Sequence, residues 1–191
     1  MTIHTAILDI FRPFIASEQQ HRFRSYLPQG ASPTSIFAAS VKQLKSLIFE
    51  YTYQYQPTQY NQMFPDSILY AANAVLHDRL DPERRPYFFF YMQLFHVFGS
   101  MGGGKAVNVT MQALLAIAHD KGAISSTEAT QFTERLKDET SPKENEVVKT
   151  EHGWTVDMDH AIAGTAAANV DQLAHRFEEI TLFNEFTEGV V

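Results

Sequence analysis

The sequence predicts an all-α fold, an irregular multi-helix array of about seven helices. Apolar residues recur at intervals of three and four along most of the chain, which is the spacing of one helical face. Proline, glycine and serine stand where these patterns begin and end. Residues 88–95, FFFYMQLF, have a composition that also suits a strand, but no hairpin partner is visible, so a helix is predicted there too.

The first third of the chain predicts two helices. Residues 3–11 are expected to form a short helix that ends before Pro13, because a proline pushes the preceding residue out of the α region. Residues 17–32 form a polar loop, and Ser32-Pro33 has the form of an N-cap with proline at the first helical position. Six residues of the following helix are predicted on one apolar face: Phe37, Val41, Leu44, Ile48, Tyr51 and Tyr55.

Three further helices are predicted in the middle of the chain. The first follows Pro65 and has apolar residues at helical spacing between positions 68 and 76. The second is an aromatic helix at 87–98, whose start is capped by residues 81–83. A glycine-rich break at 99–104 precedes the third, which ends at Lys121-Gly122. Its apolar face comprises Val107, Met111, Leu114, Leu115 and Ala118.

Two helices are predicted in the last third. Ser125 and Glu128 are spaced as a capping box, ahead of the apolar residues Ala129, Phe132 and Leu136. The final helix runs from about residue 170 to 186, after a charged stretch with few apolar side chains. The predicted organisation is a helical regulatory domain at 1–136, a charged mobile loop at 137–165, and a C-terminal amphipathic helix and tail at 166–191.

Composition excludes several classes of function. The formal net charge of −7 repels phosphate backbones, so no direct DNA binding by this chain is expected. The chain has no cysteine, which excludes disulfides, thiolate-ligated zinc and cysteine nucleophiles. No apolar segment reaches the roughly 20 residues that a membrane span needs, so no membrane association is expected. The N-terminus lacks the positive start of a signal peptide.

The sequence predicts no catalytic, cofactor-binding or metal-binding residues. GSMGGGKA at 99–106 nearly matches a phosphate-binding P-loop, but Ala106 stands where Ser or Thr must hold magnesium, and a helix is predicted before the loop. A nucleotide-binding enzyme using residues 99–106 is therefore the least favoured hypothesis. Asp157, Asp159 and His160 lie close in sequence, but no second ligating segment is visible, and a surface turn is the preferred interpretation.

The C-terminal helix carries the candidate partner-contact residues, namely Phe177, Ile180, Phe183 and Phe186. They are interleaved with glutamates, a composition typical of activation segments that dock a helix into a partner's groove. An ordinary amphipathic helix packed on its own domain is the alternative, and it is the preferred interpretation of the two.

Four stretches together resemble one family. They are residues 9–15 (DIFRPFI), 32–51 (SPTSIFAASVKQLKSLIFEY), 66–78 (DSILYAANAVLHD) and 118–129 (AHDKGAISSTEA), with a weaker match at 156–187. In order and spacing they resemble the regulatory region of fungal binuclear zinc-cluster transcription factors, especially the branch similar to nitrogen-assimilation regulators.

The resemblance implies a non-enzymatic domain of transcription regulation that acts through protein partners or self-association. It also implies a nuclear location, although the sequence shows no import signal, and a cytoplasmic location is the alternative. In such proteins a six-cysteine module binds zinc and DNA, and zinc is expected only in that module, which this chain lacks. The resemblance covers the C-terminal part of the regulatory domain, beginning at the helix with Arg12-Pro13-Phe14, and residues 99–104 depart from the polar link expected there. A late start would leave an apolar patch exposed, which favours association.

Two alternatives stay open beside the interaction domain. In the first, the aromatic helix and its neighbours line a pocket for an unknown small-molecule effector. In the second, the chain is a truncated and non-functional fragment.

Overall fold

A computed structural model of the chain describes residues 1–16, 32–56, 64–77, 79, 81–99, 104–139 and 169–188. These residues form seven α-helices and no strand, which confirms the predicted all-α class and the number of helices. In chain order the helices are α1 (Thr2–Ala16), α2 (Pro33–Gln54), α3 (Phe64–His77), α4 (Arg84–Phe98), α5 (Gly104–Asp120), α6 (Ser126–Glu139) and α7 (Val170–Glu188).

The chain divides into two compact units, Met1–Val75 and Leu76–Val191. The boundary predicted at residue 136 stays a prediction. Helix α7 packs against α5 and α6 and buries Leu173, Ala174 and Phe177. Most of the predicted charged loop lies outside the described residues, while residues 137–139 continue α6.

In the first unit, α1 packs along α2, and α3 makes side-chain contact with each of them. Tyr70 of α3 bonds to Asp9 of α1, and the ring of Phe64 lies 4.8 Å from that of Tyr51 on α2. Three of the six residues predicted on the apolar face of α2 are buried, namely Phe37, Leu44 and Ile48. Val41 and Tyr51 are half-buried, and Tyr55 is 44% exposed because the helix ends before it.

In the second unit, α5 is the central helix. It contacts α4, α6 and α7, and its five predicted apolar residues are all buried. The aromatic helix α4 contributes four buried side chains to this core, Phe88, Tyr91, Met92 and Phe95. Phe89 extends the contact to α6, with its ring 5.3 Å from that of Phe132.

The predicted helix ends are confirmed at three places. The Ser32 hydroxyl accepts a hydrogen bond from the Ser35 backbone N–H, and the Ser35 hydroxyl accepts one from the Ser32 backbone N–H. Pro33 stands at the first helical position. Ser125 and Glu128 form the predicted capping box. At the end of α5, Gly122 has φ 64° and donates to the His119 carbonyl while Ala123 donates to the Ala118 carbonyl. This is a Schellman motif.

The predicted end of α1 is wrong. The helix continues through Pro13 to Ala16 instead of stopping before the proline. A proline inside a helix removes one backbone hydrogen bond, here the one to the Asp9 carbonyl, but it does not prevent the remaining turns from forming when their side chains pack. Phe14 and Ile15 are both half-buried and supply that packing.

Candidate interaction surfaces

The first unit exposes large apolar side chains on two helices. On α1, Ile3 and Ile10 are 74% and 61% exposed. On α2, Phe49 and Tyr53 are 57% and 83% exposed. Aliphatic and aromatic side chains of this size gain free energy when they leave water, so the two helices offer surface to a partner.

Helix α1 is apolar on two opposite sides. Leu8 is fully buried on the side that packs in the unit, and Arg12 lies one turn further along the same side. Ile3, Ala6 and Ile10 are all exposed and share the other side at spacings of three and four. Exposed apolar side chains that line one side of a helix are a candidate contact surface.

Sequence reasoning missed these exposed residues, although a signal was present. Phe49 and Tyr53 are four residues apart and fall outside the predicted buried face of α2. Likewise Ile3 and Ile10 are a heptad apart. A search for a second apolar face on each helix would have found both pairs.

A polar cluster joins α1 to α3 inside the first unit. The Tyr70 hydroxyl donates a hydrogen bond of 2.7 Å to Asp9 Oδ2, and the Arg12 guanidinium lies 5.8 Å from the centre of the Tyr70 ring. Burial and the hydrogen bond to Asp9 raise the pKa of Tyr70 to about 12. Asp66 lies near enough to add a smaller upward shift, and burial also raises the pKa of Asp66 itself.

Arg12 is the most buried charged side chain among the described residues, at 3% exposure. Its Nε and Nη2 atoms have no hydrogen-bond partner there, and neither does Asp9 Oδ1. The ring of Tyr70 partly offsets the cost of burying this cation through a cation–π contact. The cluster holds α1 against α3 and thereby fixes which side of α1 faces outward.

Tyr91 on α4 carries an isolated polar atom in the second unit. Its side chain is fully buried, and its hydroxyl has no hydrogen-bond partner among the described residues. Burial is the largest cause that raises the pKa of this phenol. A buried hydroxyl without a hydrogen-bond partner costs free energy.

The four predicted partner-contact residues all lie on α7. Phe177 is 2% exposed and is buried in its own unit, as expected for a helix packed on its own domain. Ile180 is half-buried. The side chains of Phe183 and Phe186 lie outside the described residues. Partner contact through these residues stays a prediction.

One ion pair joins α7 to the end of α5, because Arg176 Nη1 lies 3.1 Å from Asp120 Oδ2. Within α7, His175 Nδ1 lies 3.6 Å from Glu179 Oε1 one turn further along the helix. A shallow depression here is lined by five polar residues of α7 alone: Asp171, Gln172, His175, Arg176 and Glu179. It is an ordinary helix surface, because no second element supplies a convergent group.

The glycine-rich segment joins two helices. Helix α4 precedes it, as predicted, where a P-loop needs a strand. Gly99 ends α4 and lies so close to α5 that an added Cβ would stand 2.7 Å from Val107 Cγ1. Residues 100–103 lie outside the described residues, as do the side chains of Lys105 and Ala106. Close packing between α4 and α5 therefore explains why glycine stands at position 99, and this explanation needs no bound ligand.

Among the described residues, no group of three or more His, Asp or Glu side chains is arranged to hold a metal ion. Asp157, Asp159 and His160 lie outside those residues. In the same part of the chain no helix is long and apolar enough to cross a membrane.

Comparison of the chain with protein-family models, with curated proteins and with solved structures finds no match. The resemblance to fungal zinc-cluster regulators therefore stays an expectation from the sequence, and function is argued from the surfaces described above.

Proposed function

We propose that this chain is a non-enzymatic regulatory and interaction domain that acts in transcription regulation, in the nucleus, through contacts with other proteins. The observation that carries the proposal is the exposed apolar side of α1 together with the exposed aromatic residues of α2. The regulatory and nuclear parts of the proposal come from the resemblance to fungal zinc-cluster transcription factors.

The energetic argument concerns Ile3 and Ile10. Burying one such side chain is worth about 1.5–3 kcal/mol, so leaving two exposed on one helix forgoes a substantial contribution to stability. A protein partner that covers the stripe recovers it. Tyr53 and Phe49 on α2 are also of the type enriched at protein interfaces, where large aromatic groups carry much of the binding energy.

The partner class follows from charge. A chain with net charge −7 is repelled by nucleic acid, so a protein surface is the better match to uncharged isoleucine and aromatic side chains. Recruitment to DNA would then pass through a partner or through a DNA-binding module elsewhere, as the family resemblance implies.

A tethering experiment tests this function. The full chain is fused to a heterologous DNA-binding module, and transcription of a reporter is measured against the module alone. We expect a change in reporter output that is lost in the Ile3→Ser/Ile10→Ser variant and kept in the control Gln131→Ser/Gln172→Ser, whose positions are also exposed. Circular dichroism must show equal melting temperatures for the variants.

Two results would contradict the proposal. Reporter output equal to that of the module alone would remove the regulatory function. Full output from the Ile3→Ser/Ile10→Ser variant would separate the function from the α1 surface. Magnesium-dependent nucleotide binding measured by calorimetry would favour the enzyme hypothesis instead.

A small-molecule effector is the second candidate, because the Tyr91 hydroxyl is buried without a partner. Such a group suits an effector that supplies a hydrogen-bond donor or acceptor inside the second unit. A thermal-shift screen of metabolites on the wild-type chain and on Tyr91→Phe tests it. A compound that raises the melting temperature of the wild type alone would support the effector, and equal shifts in both chains would exclude Tyr91 as its contact.

A further inference from the structure

The side of α2 that faces away from its own unit has a regular composition. Each of seven exposed residues lies three or four positions from another member of the set, so they lie along one stripe opposite the buried residues Phe37, Leu44 and Ile48. We call this stripe the outer face of α2: Ala39, Lys42, Gln43, Ser46, Phe49, Glu50 and Tyr53.

The outer face is symmetric about Ser46. Lys42 and Glu50 lie four residues before and after Ser46, and Ala39 and Tyr53 lie seven before and after it. Consider an antiparallel copy of the same helix, related by a two-fold axis beside Ser46. Lys42 of one copy then lies opposite Glu50 of the other, and the small Ala39 lies opposite the large Tyr53. In a two-fold contact each favourable pair occurs twice.

From this symmetry we propose that a second copy of this chain packs antiparallel on the outer face of α2, with the two-fold axis beside Ser46. The proposal goes beyond the function proposed above, since it identifies one partner and its register. Lys42 of each copy pairs with Glu50 of the other, and the ring of Tyr53 lies over Ala39 of the other.

Charge selects the antiparallel direction. A parallel pair in register would set Lys42 against Lys42 and Glu50 against Glu50, which repels at both levels. The antiparallel pair turns all four charges into two attractive contacts. Each such contact is weak at an exposed surface, but together they favour one direction and one register.

Size complementarity supports the same register. Ser46 is small enough to let the two helix backbones approach closely on the axis, and its hydroxyl is already bonded to the Lys42 carbonyl oxygen at 3.2 Å. Tyr53 is the most exposed large apolar residue among the described residues. Ala39 leaves space for its ring, so the pairing covers the side chain that gains most from leaving water.

The contact is small, so the dimer is weak. Fourteen residue steps from position 39 to position 53 span roughly 20 Å of helix. A single helix pair of that length buries less than about 1,200 Å², the range of transient interfaces. We expect a dissociation constant on the order of 10–100 μM.

Thiol cross-linking tests the register, and the absence of cysteine makes the full chain a clean background. In Ser46→Cys the two new thiols meet at the axis, and a short bismaleimide reagent is expected to give covalent dimers at protein concentrations near the dissociation constant. The control is Thr34→Cys, also exposed on α2, for which the two thiols would be about 36 Å apart. It should give background cross-linking only.

Charge reversal tests the pairing independently by sedimentation velocity. Lys42→Glu and Glu50→Lys each replace two attractions with two repulsions and should weaken the homodimer about tenfold. An equimolar mixture of the two variants restores both attractive pairs, so heterodimers should form near the wild-type concentration. Glu134→Lys, an exposed residue of α6 with the same change of charge, should leave the wild-type dimer unchanged.

The proposal is overturned if the wild-type chain stays monomeric up to about 0.5 mM, roughly fivefold above the upper end of the expected range of the dissociation constant. Equal cross-linking of the Ser46→Cys and Thr34→Cys variants, or a mixture of charge variants no more associated than each alone, would overturn the register. These failures leave the α1 reporter experiment untouched, since it uses residues outside the outer face.

Discussion

Arg84 Nη2 donates a hydrogen bond of 2.8 Å to the carbonyl oxygen of Gly122. Arg84 is the first residue of α4, and Gly122 is the left-handed residue that ends α5. The start of one helix thus holds the turn that closes another, 38 residues further along the chain. The neighbouring Arg85 forms an ion pair with Glu128 in the first turn of α6, so two consecutive arginines fasten the α5–α6 turn to α4.

Replacing Arg84 tests this link. Arg84→Ala should lower the free energy of unfolding by about 1–2 kcal/mol, because the Gly122 carbonyl loses its charged donor. Arg85→Ala removes an exposed ion pair and should cost less than about 1 kcal/mol. Urea unfolding followed by circular dichroism measures both. A larger loss for Arg85→Ala than for Arg84→Ala would contradict the ranking.

Gly99 is expected to tolerate no side chain while Val107 is present. A Cβ at Gly99 would stand 2.7 Å from Val107 Cγ1, so Gly99→Ala should destabilise the chain by about 1–3 kcal/mol. The second change Val107→Ala should remove most of the clash, and urea unfolding of both single variants and the double variant gives the coupling.

Gly122→Ala is the matched control for that cycle. Its backbone has φ 64° with nothing within 4 Å of an added Cβ, so the cost of about 1–2 kcal/mol comes from backbone strain. Val107→Ala should therefore not relieve it. If Val107→Ala rescues both glycine variants equally, the steric explanation for Gly99 is wrong.

Tyr91→Phe should stabilise the second unit. The substitution removes a buried hydroxyl that has no partner among the described residues and leaves the ring in place, for an expected gain of about 1 kcal/mol. Tyr91→Ala, by contrast, leaves a cavity and should cost about 3–5 kcal/mol. The melting temperatures of the wild type and of both Tyr91 variants measure these two effects. A loss of stability in Tyr91→Phe would indicate that the hydroxyl is bonded, to buried water or to a retained ligand.

Tyr70 should make stability fall at high pH. Its pKa is raised to about 12 in the folded chain, mainly by burial and by the Asp9 hydrogen bond, against about 10 in an unfolded chain. Between these two pKa values the unfolded state loses the Tyr70 proton first, so rising pH favours unfolding. Below about pH 10 both states keep the proton, and Tyr70 adds no pH dependence to the stability.

Comparison of wild type with Tyr70→Phe isolates this effect from other groups. The wild type should lose more stability between pH 10 and 12 than the variant does, in urea unfolding at fixed ionic strength. Tyr53→Phe, at an exposed position, should follow the wild type. Identical pH profiles for all three chains would show that the Tyr70 proton is not held in the folded state.

The local parts of this fold were predictable from the sequence. Ser32, Gly122 and Ser125 mark helix ends through hydrogen bonds that span at most a few residues, so their sequence spacing carries the whole signal. The buried side of α2 at Phe37, Leu44 and Ile48 follows from the same short-range periodicity. These features depend on neighbours that the sequence places next to each other.

Long-range relationships were not predictable. The Tyr70–Asp9 bond joins residues 61 apart, and nothing near either residue indicates the other. The same holds for α7, whose apolar residues suit a partner's groove as well as its own domain. Only the packing on α5 and α6 shows that Phe177 is buried inside the chain's own unit. The prediction that α1 ends before Pro13 was wrong, because side-chain packing outweighs one missing backbone hydrogen bond.

Helix α5 is buried round its whole circumference from Ala113 to Ala118, with no residue in that run more than 1% exposed. A run of this kind has no edge from which water can enter while the rest of the unit stays folded. Its amide protons should therefore be the slowest of the second unit to exchange with deuterium, at a rate set by cooperative opening of α4, α6 and α7 together. In α1, with one side open to solvent, single turns can fray and exchange much sooner. Local unfolding in this molecule is thus expected to begin at the helices that carry the contact surfaces.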